Sequence, residues 1–218
     1  MAAAIRKTIE TKVEALERAR AEFNFDSIQP YVPRGSRVLD VGAWACYLGE
    51  LLKDRLGCKV LSVDVTDANK TSMPFQLFNG KTLPVESGSF DVALLLYVLH
   101  HAQDDDVLLR EVRRACSDEG CVVVAEDLVD GLWNRFITVG FHIWLKLVSG
   151  LGWDGRFRKT LEWRTGFERA GFQVDKEIFL GRHLGRRLWP QNVLFILRPF
   201  GQYSPRQCPP KSAPSSSR

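Results

Sequence analysis

The sequence contains no run of about 18 uncharged apolar residues, which excludes an ordinary membrane-spanning helix. Cysteine is scarce and scattered. Cys46, Cys58, Cys116, Cys121 and Cys208 are odd in number, and none stands in a C-x2-C spacing. The set lacks a zinc-like spacing and fits reduced thiols in the cytoplasm better than a disulfide framework. No internal repeat is visible at a period of about 20–50 residues. No leader is evident, because Met1 to Lys7 runs straight into a charged amphipathic segment, and the expected location is cytoplasmic. What is present is ordinary globular material. The chain has 218 residues, 45% hydrophobic and 26% charged, which suits one domain that needs no staples.

Neither sign of charge dominates the whole chain, yet each dominates a part. The net charge is +4. Residues 1–130 carry 15 Lys/Arg against 21 Asp/Glu, a balance of −6; residues 131–198 carry 12 against 5, or +7; residues 199–218 carry 3 against none. The final stretch holds five of the ten prolines and is expected to be disordered.

Apolar residues at Ile5, Ile9, Val13, Leu16 and Phe23 have helical spacing. Short apolar runs then predict buried strands at Arg37–Val41, Lys59–Asp64, Phe75–Phe78, Asp91–Tyr97 and Cys121–Glu126, with helices at Tyr47–Leu56 and after Asp104-Asp105-Asp106. Strand alternating with helix implies right-handed crossovers and a mostly parallel sheet. Beyond residue 131 the rhythm changes. Helices are expected near Leu132–Val148 and Leu161–Ala170. Two runs, Gln173–Leu180 and Val193–Leu197, then predict an antiparallel hairpin at the sheet edge.

The first strand runs into Asp40-Val41-Gly42-Ala43-Trp44, and the second ends at Asp64. A glycine turn, a helix N-terminus and an acid 24 residues beyond Asp40 have the logic of a nucleoside site. A dinucleotide dehydrogenase shares that logic. It leaves Leu83-Pro84-Val85-Glu86-Ser87-Gly88-Ser89-Phe90-Asp91, then Val98-Leu99-His100-His101 and Leu108-Leu109-Arg110-Glu111, without an account. This series resembles the small-molecule branch of class I S-adenosylmethionine-dependent methyltransferases, of the methyltransferase-11 type. Arg37–Gly42 resembles the family's first motif, and Glu162-Trp163 with Phe167–Phe172 its late segment. The resemblance covers about residues 35–198. It implies a Rossmann-like α/β fold with a seven-stranded, mostly parallel sheet of order 3-2-1-4-5-7-6. An N-terminal helical cap (1–34) would precede the methyltransferase domain (35–198), in which 131–163 is an inserted lid.

The same resemblance implies S-adenosylmethionine as cofactor and S-adenosylhomocysteine as product. Gly42, with Ala43, would lie under the methionine part. Asp64, followed by Val65, would take the ribose hydroxyls, and Asn79, followed by Gly80, the adenine amino group. Leu96 and Tyr97 would line the site beside the transferred methyl, and Asp40 would order the loop or meet the cofactor's amino group. Trp44 and Cys46 stand where the family's first motif has its second and third glycines. A Trp there must turn its ring outward, stack on the ligand or fill the pocket.

Methyl transfer from a sulfonium is an in-line displacement, so the protein must align the acceptor, exclude water and remove a proton from a hydroxyl. His100 and His101 are the candidate bases; a structural turn is the plainer account of the pair. No metal site is expected. There is no D/N-P-P-Y/F/W segment and no Pro-Cys nucleophile, which disfavours a nucleic-acid substrate. Residues 131–163 hold four of the six tryptophans, interleaved with Arg135, His142, Lys146, Arg156, Arg158 and Lys159. Aromatic walls with a few cations suit a small, flat or lipophilic, anionic acceptor. A plain amphipathic helix, or one lying at an anionic membrane surface, fits the same pattern. The leading reading is therefore methyl transfer to O, N or C of such an acceptor. A non-catalytic methyltransferase-like scaffold and an RNA or protein methyltransferase are the alternatives.

Overall fold

The computed structural model describes residues 2–149, 156–182 and 190–201. Most of the expected tail, with Trp153 and His183, lies outside them.

The chain opens with helix α1 (Ala2–Ile28). It then builds β1 (Arg37–Val41), α2 (Tyr47–Leu56), β2 (Lys59–Asp64), β3 (Phe75–Leu77), β4 (Phe90–Leu96), α3 (Asp105–Ala115) and β5 (Cys116–Asp127). Helices α4 (Leu132–Ser149) and α5 (Thr160–Arg169) precede the closing strands β6 (Phe172–Arg182) and β7 (Gln191–Pro199). The seven strands stand in the order β3-β2-β1-β4-β5-β7-β6. Strands β1 to β5 pair in parallel, whereas β7 runs antiparallel to both its neighbours. The expected hairpin is present, and its second strand is the inner one.

Alternation along each strand feeds two cores. In β1, Leu39 and Val41 face the side covered by Leu109 and Val112 of α3 and by Trp163 and Phe167 of α5. Val38 faces the other side, with Phe25 and Ile28 of α1 and Leu48 and Leu52 of α2. Helix α3 starts where Asp104 caps it, accepting a bond from Val107 N at 3.0 Å. Acids in its first turn and Arg113 and Arg114 in its last complement the helix dipole.

Strand β5 begins at Cys116, five residues before the start at Cys121 that the apolar run predicts. Its pairing with β4 shifts register between Phe90 and Val92. Gly120 lies in that shift, where a Cβ would approach Asp91 O to 3.0 Å and Ser117 O to 2.9 Å, so a larger residue would force the two strands apart.

Because β1 stands between β2 and β4, the order reverses there, and the loops after β1 and β4 open on one crevice. Among the described residues no helix is long and apolar enough to cross a membrane.

Candidate functional site

The loop after β1 is built by backbone. Gly42 N and Ala43 N both donate to Val63 O, at 2.8 and 3.3 Å, tying the loop to β2. Gly42 has φ +75°, and a Cβ there would come within 2.4 Å of Val98 Cγ2. Its glycine is thus required by the strand β4 exit as well as by the turn.

The two departures from glycine keep glycine's backbone. Trp44 has φ +46° and Cys46 φ +62°, both left-handed. Of the three fates open to the Trp44 ring, the structure selects the first. The ring turns outward, 45% exposed, and its Nε1 donates to Glu17 Oε1 on α1 at 2.9 Å. Glu17 also receives Lys70 Nζ at 2.6 Å, so α1 lies over the loop. Cys46 is buried, and burial pushes its thiol up to about 11, which keeps it protonated.

Asp64, at the end of β2, accepts Trp44 N through Oδ2 (2.9 Å) and Thr66 N through Oδ1 (3.0 Å). Each oxygen keeps further lone pairs for a hydroxyl donor. Asp40 is 4% exposed and its Oδ2 has no partner. Burial, with Asp64 nearby, pushes its carboxyl up to about 7. An orphaned buried carboxylate beside a second acid suits a ligand that brings hydroxyls and positive charge, as S-adenosylmethionine does. Val65 is exposed, and Gly80 approaches its Cγ1, at 3.4 Å from where a Cβ would sit. Asn79 is exposed and spends its Oδ1 on Lys81 N and Thr82 N, at 2.9 and 2.8 Å. Leu96 is partly buried. Tyr97, at φ +63°, is 8% exposed, lies under the Arg20 guanidinium (4.9 Å), and has an unpartnered hydroxyl whose acidity burial lowers.

The loop after β4 carries the histidines in a single 3-10 turn, Leu99–His101. The structure brings to them three residues from other elements: Glu126 and Asp127 at the end of β5, and His142 on α4. His100 Nδ1 meets Glu126 Oε2 at 2.5 Å, and Glu126 Oε1 accepts Leu99 N at 2.8 Å. Burial opposes charge on the His100 ring, but Glu126 and Asp127 outweigh it and its pKa is raised. His101 is more open, and its pKa is pushed down to about 4, first by desolvation and then by repulsion from His100 and His142. His142 Nε2 lies 2.9 Å from Asp127 Oδ2, and Asn192 Nδ2 donates to Asp127 Oδ1 at 2.5 Å. The Phe157 ring covers both imidazoles, 5.1 Å from His100 and 4.6 Å from His142. Sequence reasoning found the three histidines and missed Glu126 and Asp127. The signal was a pair of acids closing an apolar strand.

The aromatic segment divides. Trp163 is 1% exposed, stacked near Phe167 in the core, whereas Leu132, Trp133, Phe136 and Trp144 face outward from α4. Arg158 is held by Asp105 (2.7 Å) and stacks over Trp163, so it is a structural cation.

This sheet order, with its reversed penultimate strand in space and its crevice between β1 and β4, is that of the class I S-adenosylmethionine-dependent methyltransferases. The chain is similar to that class in fold. Residues 39–124 match the family model described as "Methyltransferase domain". Solved structures agree in fold. A Methanosarcina mazei SAM-dependent methyltransferase is 14% identical, with 79% of this chain and 96% of that one covered and a TM-score of 0.62. One from Mesorhizobium loti is 18% identical, with 81% and 97% covered and a TM-score of 0.61. The methyltransferase complexed with the Haloferax volcanii activator Trm112 is 17% identical, with 83% and 94% covered and a TM-score of 0.62. No curated protein sequence matches the chain.

Proposed function

We propose that the protein is an S-adenosylmethionine-dependent enzyme that methylates O, N or C of a small, aromatic or lipophilic acceptor bearing negative charge, held beyond the carboxyl ends of β4 and β5. The observation that carries this reading is the set of rings gathered there, His100, His101, His142 and Phe157, with the exposed cations Arg156 and Lys159 on the adjoining strand of chain. Of these rings His101 and Phe157 are open enough to stack on a flat acceptor, and the cations answer its charge.

When bound, the cofactor supplies an electrophilic methyl on sulfur. The chain's part is binding and placement. Asp64 takes the ribose hydroxyls, Asp40 faces the cationic part, and the loop from Gly42 through Ala43 to Trp44 supplies backbone beneath it. Val65 and Gly80 flank the base; Leu96 and Tyr97 close the wall next to the methyl. Asn79 shapes the adenine side through its turn, since its oxygen is already spent on two backbone N–H groups. His101, the more open histidine, takes the proton of a hydroxyl acceptor; His100 is sealed against Glu126.

Two measurements test the reading. In calorimetry with S-adenosylhomocysteine, Asp64→Ala weakens binding at least about tenfold, the loss of about one charge-assisted hydrogen bond; unchanged affinity refutes the role of Asp64. Labelled methyl offered with cell extract enters the organic-soluble small-molecule fraction. Label confined to RNA or protein overturns the acceptor class.

A further inference from the structure

Glu126 and Asp127 are 0% and 8% exposed, and neither has a Lys or Arg partner among the described hydrogen bonds and ion pairs. Two carboxylates in a desolvated site need compensating positive charge. The groups bonded to them are imidazoles, with the Arg20 guanidinium, over Tyr97, acting on the same histidines without pairing to either acid. One ligand atom each from His100, Asp127 and His142 lie within 4.8 Å of one another, and all three residues are buried. They come from the β4 exit, the end of β5 and α4, so the cluster is a product of the sheet order and not of local sequence.

We propose that His100, Asp127 and His142 form a binding site for one divalent first-row metal ion, zinc in the first instance. The arrangement has both shells of such a site. Glu126 holds His100 by Nδ1, which leaves Nε2, fully buried and without a partner, as the free ligand. This is the carboxylate–imidazole–metal relay that fixes the tautomer and orientation of a metal-binding histidine. Asn192 holds the far oxygen of Asp127, leaving Oδ2 toward His142. Phe157 covers the imidazoles and limits water. Two neutral imidazoles and one carboxylate are borderline donors that suit zinc, iron or cobalt better than magnesium or calcium. The charge balances as well: one divalent ion neutralises Glu126 and Asp127. Three protein ligands leave a fourth position open. On the acceptor reading above, that position takes the acceptor's anionic oxygen, beside His101; this last clause alone rests on that reading.

The test uses the full chain, stripped with a chelator and titrated separately with zinc, against a chromophoric competitor, and with cobalt, followed by visible absorption. One equivalent of each binds, zinc at micromolar affinity or tighter, and cobalt develops ligand-field bands. His142→Ala and Asp127→Ala weaken zinc at least about a hundredfold, and Glu126→Gln about ten- to a hundredfold, while circular dichroism and thermal melting show that each variant is folded. Glutamine keeps a hydrogen bond to His100, so that variant remains informative even if the alanine variants unfold. Absence of stoichiometric binding, or equal binding by the wild type and a folded His142→Ala variant, overturns the site and leaves a network balanced by protons. Methyl transfer that persists in a protein shown to bind no ion sinks the metal inference while the acceptor reading stands.

Discussion

In the proposed cofactor site, Asp40 is the residue through which the fold would meet the ligand's charge. Its carboxyl is buried, one oxygen is orphaned, and its pKa is pushed up to about 7 by desolvation and by Asp64. A bound cation favours the ionised form, so below the free-protein pKa binding must first expel a proton. Affinity for S-adenosylmethionine therefore rises with pH between about 6 and about 8, at up to tenfold per unit on the acid side, and levels off above. Calorimetry across that range checks it, and Asp40→Asn abolishes the slope. A wild-type affinity independent of pH would falsify the assignment. Cys46 belongs to the same scale. Its φ of +62° is costly for any residue with a Cβ. Cys46→Ala and Cys46→Gly lose the same sulfur contacts, yet only alanine keeps the strain. The glycine variant is expected to be the more stable in urea by about 1 kcal/mol, and equal midpoints would show that the loop is relaxed.

At the scale of elements, what the sequence made legible depended on whether the determining contacts were local. The five parallel strands announce themselves by apolar runs, and the closing hairpin by the missing helix between its strands. The extent of β5 did not, since residues 116–120 are polar and their pairing is set by a register shift against β4 and the close approach at Gly120. Helix α4 was legible as a helix, but its aromatic residues were not assignable to a face. Ile137, Thr138 and His142 are buried while Leu132, Trp133, Phe136, Ile143, Trp144 and Leu147 are exposed. Trp163, grouped with them by sequence, is a core residue of α5. The outward turn of Trp44 was equally hidden, because it depends on Glu17 arriving from α1, 27 residues earlier. The His100–Glu126 and His142–Asp127 pairs bridge separations of 26 and 15 residues, and only the packing of α4 over the carboxyl end of β5 joins them.

For the whole molecule, the modest net charge of +4 conceals a division of labour. The excess of carboxylates lies in residues 1–130, which supply Asp40 and Asp64 on one side of the crevice. The excess of cations lies in residues 131–198, which supply the exposed Arg156 and Lys159 near the ring cluster. Part of that excess is committed: Arg158 to Asp105, Arg164 to Glu177 and Arg169 to Asp106. On the proposed function, the exposed Arg156 and Lys159 would attract an anionic acceptor through solvent, where screening is strong, since the Debye length falls from about 10 Å at 0.1 M salt to about 3 Å at 1 M. S-adenosylhomocysteine, whose own charges cancel, would on the proposed site meet the buried Asp40 and Asp64 and be screened far less. Raising sodium chloride from about 0.05 to about 0.5 M is therefore expected to raise the acceptor KM about three- to tenfold while the Kd for S-adenosylhomocysteine changes less than about twofold. Steady-state kinetics and calorimetry in the same buffers make the comparison. Salt effects of equal size on both ligands would mean that the basic half does not steer the acceptor. In that case the charge division reflects the surface of the fold, and the acceptor need not be an anion.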